Sequence, residues 1–296
     1  MALGAKERPL GKTLAVCNMK GGVGKTTLSI MIAESLSALA NKSVLVLDLD
    51  AQGSLSYAMM GRSRYEQALS SKRVLSKFFE AKSQNKPISF SGCVVEKASL
   101  LKECASLDLA PSDMQLQLVE RQAIGKLAKL SLDNLWKDAP EATTAAWLRS
   151  EVRALRGKYD WIIFDCPPGI SIFAYAGIAC SDAILMPMTP DYLSMQAIRT
   201  MVERFLPQLA TQHRPKRRLT ILNKCRAGVS AVAEYRDALR RESASPIWGV
   251  EFIPIELPLR EKIAQAADAE EDRNWDRFKD KFDVEDCRGI LSFLEG

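Results

Sequence analysis

Histidine is nearly absent from this sequence: the 296 residues contain one, His213. It lies in the basic stretch His213-Arg214-Pro-Lys216-Arg217-Arg218 and reads as a bystander, not a catalytic base. The seven cysteines (17, 93, 104, 166, 180, 225, 287) form no Cys-x-x-Cys pair and no metal-ligand spacing. Several sit in apolar runs, where a free cysteine behaves as a small hydrophobe, so a reduced, cytoplasmic setting is expected. No apolar run approaches the ~20 residues that a membrane-spanning helix needs. The first residues, Met-Ala-Leu-Gly-Ala-Lys-Glu-Arg, have no apolar core followed by a cleavage site, so no secretion signal is expected. A large excess of one charge is missing too: the net charge of +5 is only a mild lean towards polyanions. With 47% hydrophobic and 26% charged residues, wholesale disorder is excluded.

What the chain does have is glycine concentrated in one place, Lys20-Gly-Gly-Val-Gly-Lys25-Thr26-Thr27. The apolar run Leu14-Ala-Val-Cys17 leads in, and Leu28, Met31, Ile32, Leu36 and Leu39 recur at helical spacing beyond it, ending near Asn41. Strand, glycine-rich loop and helix form a phosphate cradle. Gly21, Gly22 and Gly24 let the backbone approach an anion around Val23, and the helix entry adds its positive end. Lys25 supplies a point charge for β- and γ-phosphates, the Thr26 hydroxyl a ligand for Mg²⁺, and Thr27 completes the segment. Read strictly, the phosphate-loop pattern wants glycine at position 19, where this chain has Met19, and Lys20 is a second lysine near the start of the loop.

Further along, Ser43-Val-Leu-Val-Leu-Asp-Leu-Asp50 is a near-continuous apolar run, as in a parallel strand buried on both faces. Its two aspartates, Asp48 and Asp50, end the strand where open α/β sheets bind ligands. Each also fits a strand-end turn. Tyr159-Asp-Trp-Ile-Ile-Phe-Asp165 is a second buried strand ending in an acid, suited to hold the surroundings of Mg²⁺. Cys166-Pro-Pro-Gly169 follows as a rigid turn whose Gly169 N–H is placed to meet the γ-phosphate. Strands are expected at 107–110, 183–187, 219–222 and 247–253, with helices over 193–206 and 229–241. This alternation predicts one doubly wound α/β domain, a mostly parallel sheet flanked by helices. Residues 1–11 read as a flexible lead and 12–296 as the domain. The 55–158 interval is an elaboration, with helices expected from Arg73 and over 116–130 and loops at 82–87 and 138–140.

The octet from Lys20 to Thr27 resembles the deviant phosphate loop of the ParA/MinD family of dimerising ATPases. The resemblance implies that Lys20 reaches a dimer partner's phosphates. It assigns Asp50, in a segment similar to the family's first switch, to orienting the attacking water beside the metal. Ala51 and Ser54 depart from the family's Pro and Asn there. Asn223 and Pro254-Ile255-Glu256 fall, just beyond two strands, where the family encloses adenine, although a strand-end turn also explains Asn223. The late basic residues, with Arg226, Arg240, Arg241 and Arg260 foremost, suggest a face contacting DNA phosphates or a solvated basic surface. A ParA-type reading implies an ATP-bound homodimer, nonspecific DNA, nucleoid association and a ParB-like or other cargo adaptor that stimulates slow hydrolysis. The alternatives are a MinD-like regulator, using Trp275, Phe278 and Phe282 on a membrane, and a metal-cluster carrier. Acidic residues that break the basic face count against the first; the second needs paired cysteines, for which no pair is evident although the spacing leaves Cys93 and Cys104 open.

Overall fold

In the computed structural model, residues 9–127, 139–245, 248–259 and 283–296 are described. Seven strands, β1 Lys12–Val16, β2 Val44–Asp48, β3 Leu107–Ala110, β4 Trp161–Asp165, β5 Ala183–Met188, β6 Arg217–Cys225 and β7 Glu251–Pro258, form one sheet. All neighbours are parallel, in the order β3-β2-β4-β1-β5-β6-β7. The doubly wound α/β expectation is met.

Alternation along the strands divides the core into two layers. Ala15, Leu45, Leu47 and Phe164 face one layer, and Leu14, Val16, Val44, Val46 and Ile163 the other. The first is covered by α4 Leu75–Ser83, α5 Gln115–Leu127, α6 Pro140–Leu155, α7 Ile172–Ala179, α8 Tyr192–Thr200 and α9 Ser230–Ser243. The second is covered by α1 Lys25–Ala38, α2 Ser54–Met60, α3 Arg62–Ser70 and α10 Val284–Glu295. Every position of β2 is buried, which explains why it is apolar up to its last residue, Asp48. Each fully buried Leu or Ile contributes about 1.5–3 kcal/mol. Gly11 is buried and donates its N–H to the Arg156 carbonyl, so chain packing is under way before β1 starts.

Three expectations shift. The helix read from Arg73 begins two residues later, because Val74 is still extended. Pro140, read as part of a loop, is the first residue of α6, where its missing N–H costs nothing. The last strand is not 247–253: Gly249, at φ 60°, interrupts that run, and β7 starts at Glu251. Pro254, Ile255 and Glu256 therefore lie inside β7 and not beyond it. The register jumps from Ile221↔Ile253 to Leu222↔Glu256, a bulge at Pro254, which has no N–H to give the ladder.

Candidate functional site

The chain leaves β1 at the C-terminal edge of the sheet's centre and folds into the glycine loop. Gly22 and Gly24 have φ of 73° and 91°, in the left-handed region open to glycine. A Cβ on Gly24 would lie 2.2 Å from the Asn223 amide nitrogen, so the loop closes against the end of β6. Val23 is buried beneath it, whereas Gly21 and Gly22 are exposed, with nothing within 4 Å of a Cβ at either. Lys25 opens α1 and is 7% exposed. Its Nζ donates to the Lys20 carbonyl at 3.2 Å. Burial lowers its pKa, opposed by the nearby carboxylate of Asp165. The arrangement is a desolvated cation beneath an open backbone cradle.

Thr26 and Asp165 meet as expected. The Thr26 hydroxyl donates to Asp165 Oδ2 at 2.8 Å, and Ser29, one turn on along α1, donates to Oδ1 at 2.8 Å. Sequence reasoning missed Ser29, although its i+3 spacing from Thr26 places the two on one face. Asp48 sits directly across from Asp165 on the adjacent strand. It is fully buried and accepts from the Ser56 hydroxyl at 2.7 Å and the Ser56 N–H at 2.9 Å, so it anchors the start of α2. Asp50 stands at the rim, half-exposed, with its carboxylate capping the Gln52 N–H at 3.0 Å. Gly169, at φ 80°, turns the segment after β4. A hydroxyl beside a buried carboxylate, below a phosphate cradle, is an oxygen donor set that suits Mg²⁺. That ion takes one or two carboxylates and completes its shell with water and phosphate oxygens. Among the described residues no group of three or more His, Cys, Asp or Glu could hold a metal by itself.

Burial raises the pKa of Asp48 and of Asp165, and each carboxylate feels other acidic neighbours. The folded protein thus holds protons that the unfolded chain releases. Without metal, stability should fall as pH rises from the ordinary carboxylate value of 3.8 towards about 8. Thermal melts across that window should show the decline, and Asp48→Asn should flatten it. A melting temperature that climbs with pH would contradict this.

Lys20 has unexpected company. Its Nζ contacts both Asp191 oxygens, at 2.7 and 2.9 Å, and the Ser194 hydroxyl at 3.1 Å. Burial pushes the Asp191 pKa up, but hydrogen bonds from Lys20, Thr189 and Ser194 outweigh it and hold the carboxyl at about 2. Asp191 also caps α8 by accepting from the Ser194 N–H. Its position just past β5, ahead of an amphipathic helix, was the legible signal for this cap.

Asn223 is committed to the loop: its amide donates to the Val23 carbonyl at 2.8 Å, and its oxygen accepts from the Lys224 N–H. Beside it, a cavity of about 500 Å³ is lined by residues of 225–236 with Glu256 and Pro258. Glu256 reaches this cavity and pairs with Arg236 at 3.1 Å. Pro254 and Ile255 do not line it, and Ile255 packs in the layer of α10. Pro258 was missed. Arg226 borders the cavity and is exposed, and Arg240 and Arg241 are exposed in the last turn of α9, so about 15 Å of helix separates the two groups. Arg214 and Lys216 lie at the opposite end of β6 from Arg226, about 25 Å away along the strand, so the late basic residues form no single face. Arg260 and the aromatic residues 275, 278 and 282 lie outside the described residues.

The profile of the AAA domain family, AAA_31, matches residues 11–219, well over half of the chain. The chain belongs to this family of ParA-type P-loop ATPases. The ParA-type chain is 27% identical over 192 residues to the chromosome partitioning protein ParA of Caulobacter vibrioides, covering 64% of this chain and 61% of that one. It is 26% identical over 201 residues to the ParA of Myxococcus xanthus, covering 67% and 60%. The chain spans about half to two thirds of the length of the curated relatives it matches. Among solved structures, the ParA-type fold matches apo McdA of Cyanothece with a TM-score of 0.68 at 18% identity, covering 96% of this chain and 99% of that one. A putative plasmid partition protein of Borrelia burgdorferi, bound to AMPPNP, matches with a TM-score of 0.65 at 18% identity, covering 97% and 99%.

Proposed function

We propose that this chain is an ATP-hydrolysing switch that dimerises with ATP, binds DNA nonspecifically in that state, and partitions plasmid or chromosomal DNA or positions other cargo. The observation that carries the reading is the buried Lys25 under an open glycine cradle, one residue from the Thr26–Asp165 pair. The N–H groups of 21–27 and the Lys25 amine would bind the phosphates of ATP. Thr26 and Asp165, with Asp50 at the rim, would hold Mg²⁺, which when bound neutralises charge on the β- and γ-oxygens. Asp50 would orient the attacking water, Gly169 would contact the γ-phosphate, and Glu256 with the groove beside Asn223 would receive the base. Lys20 would act on the nucleotide of a second copy. ADP offers less charge to two lysines, so ATP favours the dimer. Residues 12–296 act as one unit, and hydrolysis is slow until a ParB-like or other adaptor stimulates it.

The cluster-carrier reading loses support because all seven cysteines are buried. No helix among the described residues is long and apolar enough to cross a membrane. Nucleoid association is tested by retention on nonspecific DNA. The protein should be held with ATP and Mg²⁺ and released with ADP, with affinity falling steeply as salt rises. Arg226→Ala should reduce the salt slope by about 1. Absence of retention at low salt with ATP would defeat the DNA part of the proposal.

A further inference from the structure

The N-terminal edge of the sheet, opposite the glycine loop, carries a second concave site. Its cavity, of about 340 Å³, is large enough for a small ligand. Arg149, Arg153 and Arg156 of α6 and its end converge there with Arg214 and Lys216 from the segment before β6. Among the described residues the only carboxylate lining it is Asp182, already engaged by Arg156 at 2.9 Å and by the Thr13 N–H at 3.0 Å. Arg214 is fixed by two neutral backbone acceptors, the carbonyls of Leu209 and Pro207, which orient its guanidinium without cancelling its charge. Arg149 Nε is sealed from solvent and has no hydrogen-bond acceptor among the described residues. Buried polar groups without a partner are uncommon, and a guanidinium presents donors in the fork that matches a phosphate. Val152, Ala179 and Leu10 add an apolar floor.

We propose that this pocket binds a small phosphate monoester of sugar-phosphate size, with Arg149, Arg153 and Lys216 on its phosphate and the apolar floor under its carbon skeleton. The site lies away from the glycine loop and does not depend on ATP binding. His213 lines the same pocket, and burial together with the Arg149 charge lowers its pKa.

Because His213 is the chain's one histidine, its imidazole resonances report this pocket alone. Ribose 5-phosphate added to the full chain should shift them saturably at millimolar concentration or below, and unphosphorylated ribose should not. Arg149→Gln should weaken binding at least tenfold, and the exposed variants Lys216→Gln and Arg153→Gln severalfold. If Arg149→Gln does not fold, the two exposed variants decide. No shift, an equal shift with ribose, or unchanged affinity in the folded variants would overturn the proposal.

Discussion

Lys25→Ala should cost about 10²–10³-fold in the single-turnover rate of ATP hydrolysis while leaving the fold at least as stable. The two halves of this expectation have one cause. Lys25 is held almost out of water with a neutral carbonyl as its acceptor, and burial lowers its pKa. A cation kept in that condition is a burden to the empty protein and an asset only when an anion arrives. Removing it relieves the first and forfeits the second. Lys25→Arg should fail as well, because a planar fork does not replace a compact ammonium buried beneath the glycine cradle. Single-turnover hydrolysis, run beside a denaturant titration of each variant, checks both halves. A rate within a few fold of the parent would remove the loop from the chemistry.

The second large effect separates two residues that touch. Lys20→Ala should abolish ATP-dependent dimerisation, read by light scattering or sedimentation, whereas Asp191→Ala should preserve it. In the single chain Lys20 is tied to Asp191, Ser194 and Thr189. To serve a partner's nucleotide it must leave them. The pair is about one third exposed on each side, the regime in which an ion pair contributes about 0.2–1 kcal/mol. A triphosphate offers far more charge, so the tether is weak enough to be outcompeted. Freeing the amine should therefore lower the ATP concentration at the dimerisation midpoint by about 1.4–5-fold, the equivalent of that energy. A monomeric Asp191→Ala protein, or a dimeric Lys20→Ala protein, would refute the in-trans role.

The sequence was most readable where one physical demand dominated. Strands buried on both faces must be apolar throughout, so β2 and β4 could be read directly, and a phosphate cradle must be glycine-rich, so Gly22 and Gly24 stood out. Thr26 and Asp165, each read separately as belonging near the metal, come together because the sheet places β1 beside β4. What resisted reading depends on contacts distant in sequence. Nothing local says that Asn223 braces Val23, or that Asp191 holds Lys20 across about 170 positions of chain. α3 was missed because it buries only Ala68, and α7 because nearly all of its residues are buried and leave no polar face to give a period; α2 and α6 were missed as well. β7 was misplaced because Ile247-Trp-Gly-Val looks strand-like until Gly249 turns. The basic residues were grouped by proximity along the chain, yet a nine-residue strand carries them to opposite ends of the sheet.

The seven cysteines have a practical corollary. All are buried, and burial raises the thiol pKa of Cys17, Cys93, Cys104, Cys166, Cys180 and Cys225. Maleimides and disulfide exchangers attack the accessible thiolate, so the native molecule offers them almost nothing. A cysteine engineered onto the surface would take a fluorophore or spin label at that one address, with every natural cysteine left in place.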